Sequence, residues 1–395
     1  MHRRTAGRDG IICNVKDRII GGKILEFAKS YPVVTITGPR QSGKTTLAKM
    51  LFPEYRYVNL ESLTEREFAK SDPVAFLRRF ESDNVIIDEV QRVPEILSQI
   101  QVEADARKRN GHFILTGSQN FSLMHGISQS LAGRTALCTL LPFSLREIAG
   151  ETKSASLDET MWKGFYPRIH DERLNATDAL SFYVDTYLSR DVREVENVKN
   201  LRSFSMFLRL AAGRTGRVLN VSSLADDAGI SPKVATEWLS LLEASYVVRM
   251  LQPWHANIGK RLAKAPKLYF LDVGLACYLL GITDSSQLSA HPLRGELFET
   301  MVVGEHFKRI ANECGHSQIN HYRDSNRNEI DLVVQNGRRT MLCEIKSGSS
   351  FSSNWTDTMT RLSGQFGPDV GKMVVYGGDV SQRRTSFDLV SWREI

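Results

Sequence analysis

Short apolar runs alternate with amphipathic stretches through the first third of the chain. Val33-Val34-Thr35-Ile36-Thr37, Tyr57-Val58-Asn59-Leu60, Val85-Ile86-Ile87-Asp88 and Phe113-Ile114-Leu115-Thr116 have the length and β-branched content of buried strands. Between them, Thr45 to Leu51, Pro73 to Phe80 and Pro94 to Arg109 repeat their apolar residues at helical spacing. Strands that are apolar on both faces must be covered on both faces, so the alternation predicts an α/β fold around a parallel sheet. Thr135 to Leu141, stopped by Pro142, supplies a last strand.

The pattern then turns helical. Asn175 to Glu196 and Ser203 to Ala212 are apolar at helical spacing, and a denser pattern follows from Val221 to Leu251. In it, Ser222 to Ala228 predicts a short helix, Gly229 a turn, and Ser231 the cap of a second helix with Pro232 in its first turn. Val234, Trp238, Leu241 and Leu242 form the buried face of that helix, giving a helix-turn-helix with a wing. Such a unit serves either to enter a DNA groove or to pack against the rest of the chain. Its outward Lys233, Glu237 and Glu243 are a poor set for meeting phosphates. The final third returns to α/β, with a helix around Glu296 to Ile310, strands at Ile330 to Val334, Met341 to Ile345 and Met373 to Tyr376, and a polar loop at Ser349 to Asn354. The expected division is 1–150, 151–285 and 286–395.

Gly38-Pro39-Arg40-Gln41-Ser42-Gly43-Lys44-Thr45 matches G-x-x-x-x-G-K-[ST] between a strand and a helix. Glycines let the backbone curl so that successive N–H groups face phosphate oxygens, helped by the positive end of the helix. Lys44 places a cation between the β- and γ-phosphates of ATP, and the Thr45 hydroxyl can ligate Mg²⁺. Asn84-Val85-Ile86-Ile87-Asp88-Glu89 brings two carboxylates to a strand end at the same sheet edge. Asp88 is the expected Mg²⁺ partner, through water, and Glu89 the base that polarises the attacking water. The next strand ends in Leu115-Thr116-Gly117-Ser118-Gln119, where Ser118, or else Thr116, either contacts the γ-phosphate or caps the following helix. Arg134, in Leu131-Ala132-Gly133-Arg134, reads either as an arginine finger, in this subunit or a neighbour, or as an ordinary surface residue. Arg40 is a further candidate for phosphate contact.

Composition changes this picture little. The chain has 395 residues, too many for one ordinary core, and its 42% hydrophobic and 24% charged content belongs to folded soluble proteins. A net charge of +6 suits an anionic partner, DNA or ATP itself, as well as it suits a solvated mixed surface. Cys13, Cys138, Cys277, Cys314 and Cys343 are scattered and form no C-x-x-C pair, which argues against a disulfide framework or zinc site and fits a reducing cytosol. Met1 to Asp9 are basic, but no signal-peptide apolar stretch follows. Leu268 to Gly281, interrupted by Asp272, is too short to span a bilayer. A cytoplasmic protein with no membrane partner is expected.

Several motifs together resemble the prokaryotic AAA-type ATPases that carry a C-terminal domain of unknown function. They are Gly38 to Thr46, Ile87-Asp88-Glu89-Val90-Gln91, Leu115 to Ser118 and Ser130 to Arg134. Gly164-Phe165-Tyr166-Pro167, Thr186 to Asp191, Leu268 to Leu275 and Gly295 to Glu299 resemble the partner domain. The resemblance runs from about Lys23 to Trp392 and implies ATP binding, nucleotide-dependent conformational change and homo-oligomers or a protein partner.

The last third holds a further constellation. Glu329-Ile330-Asp331 heads one strand, Glu344-Ile345-Lys346 lies on the next, and Glu299 sits on the preceding helix. Asp followed by Glu-x-Lys one strand later resembles the PD-(D/E)XK nucleases, with a restriction-endonuclease-like domain implied. In that chemistry Asp331 and Glu344 hold a divalent metal, Glu299 adds a ligand or an outer contact, and Lys346 orients the attacking water. A solvated pair of charged strands is the alternative, and the fold can persist without cleavage. The leading expectation is an ATPase that drives conformational change, with nucleic acid as the expected partner. Its alternatives are a regulatory switch that binds ATP without efficient catalysis, and an ATP-gated metal-dependent nuclease.

Overall fold

Strand β1 (Val33–Gly38) is buried at every position because it lies inside a parallel sheet whose strand order is β2-β3-β4-β1-β5. Its partners are β2 (Arg56–Asn59), β3 (Val85–Asp88), β4 (Phe113–Ser118) and β5 (Thr135–Thr139). Every pairing is parallel, with Val33 level with Phe113 and Thr135. Alternate side chains enter separate cores. Val34, Ile36, Ile86 and Ile114 pack with α1 (Gly21–Ser30) and α2 (Lys44–Leu51) through Ile24 and Leu47. Val33, Ile87, Phe113 and Leu115 pack on the other face against α4 (Pro73–Arg78) and α5 (Ile96–Arg107) through Phe76 and Leu97. Between β2 and α4 runs α3 (Leu63–Ser71), which buries only Ala69. The computed structural model describes residues 16–118, 127, 129–188, 201–255 and 265–395. Met1 to Asp9, Cys13, Gln119, Ser189 to Asp191 and the helix expected to continue to Glu196 lie outside the described residues, in whole or in part.

Two compact units emerge, the first being residues up to Pro142 with Ala244–Tyr246 and Ala311–Gly315, the second the remainder. The second unit starts with short helices α6 (Ala149–Thr152), α7 (Leu157–Lys163), α8 (Pro167–Asp171) and α9 (Ala176–Phe182). Ser156 and Asn175 cap α7 and α9 by accepting the backbone N–H groups of Glu159 and Asp178. The helix expected from Asn175 changes to a π-helical segment at Tyr183–Leu188, where the Thr186 hydroxyl donates to the carbonyl of Phe182.

Next come α10 (Leu201–Ala212), β6 (Arg217–Val218), α11 (Val221–Ala228), α12 (Pro232–Ala244), β7 (Val248–Leu251) and β8 (Lys267–Phe270). Three antiparallel strands lie in the order β6-β8-β7. Trp238 of α12 meets Phe204 and Phe207 of α10 edge-on, with ring centroids 5.2 Å apart in each case. After α13 (Val273–Leu279) and the long α14 (Arg294–Glu313), β9 (Gln318–Arg323), β10 (Glu329–Asn336), β11 (Arg339–Lys346), α15 (Asp357–Leu362), β12 (Val370–Tyr376), β13 (Gln382–Arg383) and β14 (Asp388–Ser391) follow. They build a mixed sheet in the order β13-β14-β12-β11-β10-β9.

One contact organises the second unit from within. Gly164, at φ +65°, lies backbone to backbone against Gly274, and a Cβ on it would fall 2.4 Å from Oδ1 of Asp272. Asp272 accepts the backbone N–H groups of Phe165 and Leu275 at 2.8 and 2.9 Å. Two segments far apart in sequence are thereby fixed together.

Candidate functional site

The loop after β1 turns on two glycines. A Cβ on Gly38 would lie 2.1 Å from the carbonyl oxygen of Leu140, so no other residue fits there. Gly43 takes φ +90° and leads into α2. Lys44 is buried and donates to the carbonyl oxygens of Gly38 and Pro39 at 3.1 and 2.7 Å, folding its ammonium over the loop. Arg18 donates to the carbonyl of Ser42 at 2.8 Å and to that of Leu141 at 2.6 Å, bracing the loop from outside the motif. Arg40 is half-buried within it. The Ser42 hydroxyl is buried and has no partner among the described residues.

Asp88 lies where the parallel sheet requires, at the C-terminal end of β3 beside the start of α2. Thr45 Oγ1 donates to both its oxygens at 3.0 Å, Tyr57 donates at 2.7 Å, and Thr116 donates to Oδ1. Burial first, then the neighbouring Asp88 and Glu89 charges, push the Tyr57 phenol well above its ordinary range. Lys49 of α2 sits 3.4 Å over the Tyr57 ring. Glu89 adopts the left-handed conformation, φ +58° and ψ +42°, which non-glycine residues occupy uncommonly. Gln91 Nε2 donates to its carboxylate.

Thr116 is therefore engaged with Asp88, whereas the buried Ser118 hydroxyl has no partner among the described residues. Two orphaned hydroxyls, Ser42 and Ser118, a folded-back ammonium and a Thr–Asp pair form a donor set suited to a triphosphate and Mg²⁺. Arg134 lies elsewhere. It precedes β5 at the end of the sheet level with Val33, roughly 16 Å along the strand direction from Gly38. Its guanidinium holds Asp105 of α5 through bonds of 2.6 and 2.8 Å. Sequence gave no hint of Tyr57 beyond its strand, since a phenol two residues from a strand end has no diagnostic spacing.

A second charged cluster occupies the other unit. Lys346 Nζ donates to Asp331 at 3.0 Å and to Glu344 at 2.6 Å, and Asp331 also accepts the backbone N–H of Ile345 at 2.8 Å. Glu299 of α14 accepts from Lys267 at 2.9 Å and from the Tyr269 hydroxyl at 2.5 Å. Lys267 also pairs with Glu329 at 2.5 Å. Burial and the charge of Asp331 raise the carboxyls of Glu299 and Glu344 above the usual range. Burial acts the same way on Asp331, but Lys346, Lys267 and the Ile345 N–H outweigh it and hold that carboxyl low. Glu299, Asp331, Glu344 and Lys346 thus share one neighbourhood, joined by Lys267, Tyr269 and Glu329, which the strand pattern did not single out. Among the described residues no three acidic, histidine or cysteine side chains converge on a metal position, so in this arrangement the cluster does not fit a divalent ion.

On α12, Trp238, Leu241 and Leu242 are buried with Ala235 and Leu239, and Val234 is half-buried. Lys233, Thr236, Glu237 and Ser240 face outward. No helix among the described residues is long and apolar enough to cross a membrane.

The parallel sheet, phosphate loop and Thr45–Asp88 pair define a P-loop ATPase domain of the AAA type, and residues 30–149 match the AAA domain family model. Residues 154–286 match a domain of unknown function (DUF8612), and residues 294–395 match another (DUF4143). Over 355 residues the chain is 31% identical to an uncharacterized protein of Mycobacterium tuberculosis, covering 88% of this chain and 78% of that one. An uncharacterized protein of Mycobacterium bovis matches to the same extent. The chain belongs to the family of these two mycobacterial proteins. Among solved structures, the Walker-type ATPase of Pyrococcus abyssi is 15% identical, with 70% of this chain and 98% of that chain covered at a TM-score of 0.46.

Proposed function

We propose that the chain hydrolyses MgATP at the phosphate loop and uses turnover to rearrange the parts that follow, with nucleic acid as the partner acted upon. The pair of 3.0 Å hydrogen bonds from Thr45 to Asp88 carries this proposal, because it ties the start of the loop's helix to the acidic strand end. Lys44 leaves the carbonyls of Gly38 and Pro39 for the β- and γ-phosphates, and the backbone from Pro39 to Thr46, with Ser42, lines the phosphate chain. Thr45, and through water Asp88, would hold Mg²⁺, which would supply charge neutralisation on the phosphate oxygens. Glu89 takes the proton of the water that attacks the γ-phosphorus, and Gln91 fixes its carboxylate. Ser118 is assigned to the γ-phosphate, and Arg40 to a phosphate oxygen. Homo-oligomers and a cytoplasmic location complete the proposal.

Lys44→Ala is expected to abolish ATP binding in calorimetry, whereas Glu89→Gln binds ATP but releases phosphate at least about a hundredfold more slowly. Undiminished turnover in Glu89→Gln removes it as the base.

Metal-dependent cleavage of nucleic acid is a second reading, supported by the bonds that join Asp331, Glu344 and Lys346. The helix, strand and turn order from α10 to β8 supports a winged helix before it. The outward face of α12 carries one charge of each sign, which suits a protein surface better than a DNA backbone. Incubation of branched, duplex and single-stranded DNA with Mg²⁺ or Mn²⁺, beside Asp331→Ala, tests cleavage. No cut product on any substrate removes this second reading.

A further inference from the structure

We propose that Lys267 is a built-in counter-ion that closes the acidic cluster of the second unit, so that a divalent metal enters only when this ammonium leaves. The proposal rests on the second reading above and adds its regulation. Lys267 is almost wholly buried, its side chain 3% exposed, and it bridges Glu299 at 2.9 Å and Glu329 at 2.5 Å. Its backbone is pinned in the middle of the three-stranded sheet, level with Val218 on one side and Leu251 on the other. Strand alternation puts Tyr269 on the same face, and both residues donate to the same oxygen of Glu299.

Lys346 already bridges Asp331 and Glu344, so each of the four carboxylates is held by an ammonium group. A divalent cation placed among Glu299, Asp331 and Glu344 meets the Lys267 charge at close range, in a buried setting where repulsion is poorly screened. A solvated pair of charged strands does not need a second, fully buried lysine. This lysine comes from the segment that precedes α14, while the carboxylates come from α14, β10 and β11. Access to the cluster is thus set from outside the residues that would carry the chemistry.

Mn²⁺ titration of the nucleotide-free full chain, followed by loss of the free-ion paramagnetic resonance signal, tests the proposal. Lys267→Met shortens the unbranched side chain by one atom and removes its charge. Lys267→Met combined with Glu329→Gln also removes the carboxylate left behind and serves where the single variant melts early. Relative to the unmodified chain, these variants are expected to gain one Mn²⁺ site at least about tenfold tighter, and adding Asp331→Asn abolishes the gain. Mn²⁺ bound at the phosphate loop is common to all the proteins and cancels in the comparison. An unmodified chain that binds Mn²⁺ in an Asp331-dependent way as tightly as the variants overturns the closure, while leaving the metal-site reading standing. Absence of any Asp331-dependent site in every folded variant overturns both.

Discussion

Both oxygens of Asp88 accept hydrogen bonds, from Thr45, Thr116 and Tyr57, and this saturation sets expectations for individual residues. Tyr57→Phe removes one donor to a charged acceptor. The variant is expected to lose about 1 to 2 kcal/mol of stability. It leaves an Asp88 oxygen to water, so half-maximal turnover needs about twofold less Mg²⁺. Thermal melts and a Mg²⁺ titration of phosphate release read the two effects, and no change in either would show the phenol to be idle. Arg134 behaves differently because its partner is an exposed Asp105 at the far end of the sheet. Arg134→Ala is expected to leave the melting temperature essentially unchanged and turnover within about twofold. A loss above about a hundredfold in phosphate release would reveal a role in a neighbouring subunit. The phosphate loop and Asp88-Glu89 were legible in the sequence because phosphate and metal demand fixed residue types at fixed spacing. Tyr57 and Lys267 were not, because each acts through a side chain that crosses to a strand or helix remote in sequence.

At the scale of elements, the buried strands of the parallel sheet announced themselves through uninterrupted β-branched runs. Helix α3 did not, since only Ala69 of its nine residues is buried and its charges hide the period. The entry to β4 carries a pH-dependent feature. His112 lies buried beside Phe113, with Nδ1 3.5 Å from Asn84. Burial, then the charges of Arg107 and Arg109, pull its pKa down to about 4. The ring is neutral in the folded state, whereas an unfolded histidine takes up its proton near pH 6.5. Between these values the unfolded chain binds more protons, so stability falls as pH drops from about 6.5 to about 4 and levels off below. The loss is expected to reach about 2 to 3 kcal/mol. Urea midpoints measured across that range should fall less steeply in His112→Gln, and parallel slopes would show that His112 does not titrate in this way.

For the molecule as a whole, two motifs that gave no chemical reading on their own explain one another. The turn at Gly164-Phe165 and the start of α13 at Asp272 meet through a single buried carboxylate that satisfies two backbone donors. Asp272→Ala strands both N–H groups and is expected to destabilise by about 3 kcal/mol or more, read as a lower melting temperature and poor recovery of folded protein. A shift below about 1 kcal/mol would mean that water replaces the carboxylate. The acidic cluster was partly legible at this scale. Helix, strand and strand gave Glu299, Asp331, Glu344 and Lys346, but the second lysine comes from a sheet that belongs to a different sequence pattern.

The close approach of Gly164 to Gly274 has an evolutionary reading. Neither position tolerates even a methyl group unless its opposite number recedes, because a Cβ on either falls within 3 Å of the other's backbone. Among related chains the two glycines should be inherited as a couple, and a genome-wide search keyed on both would gather distant kin that overall identity overlooks.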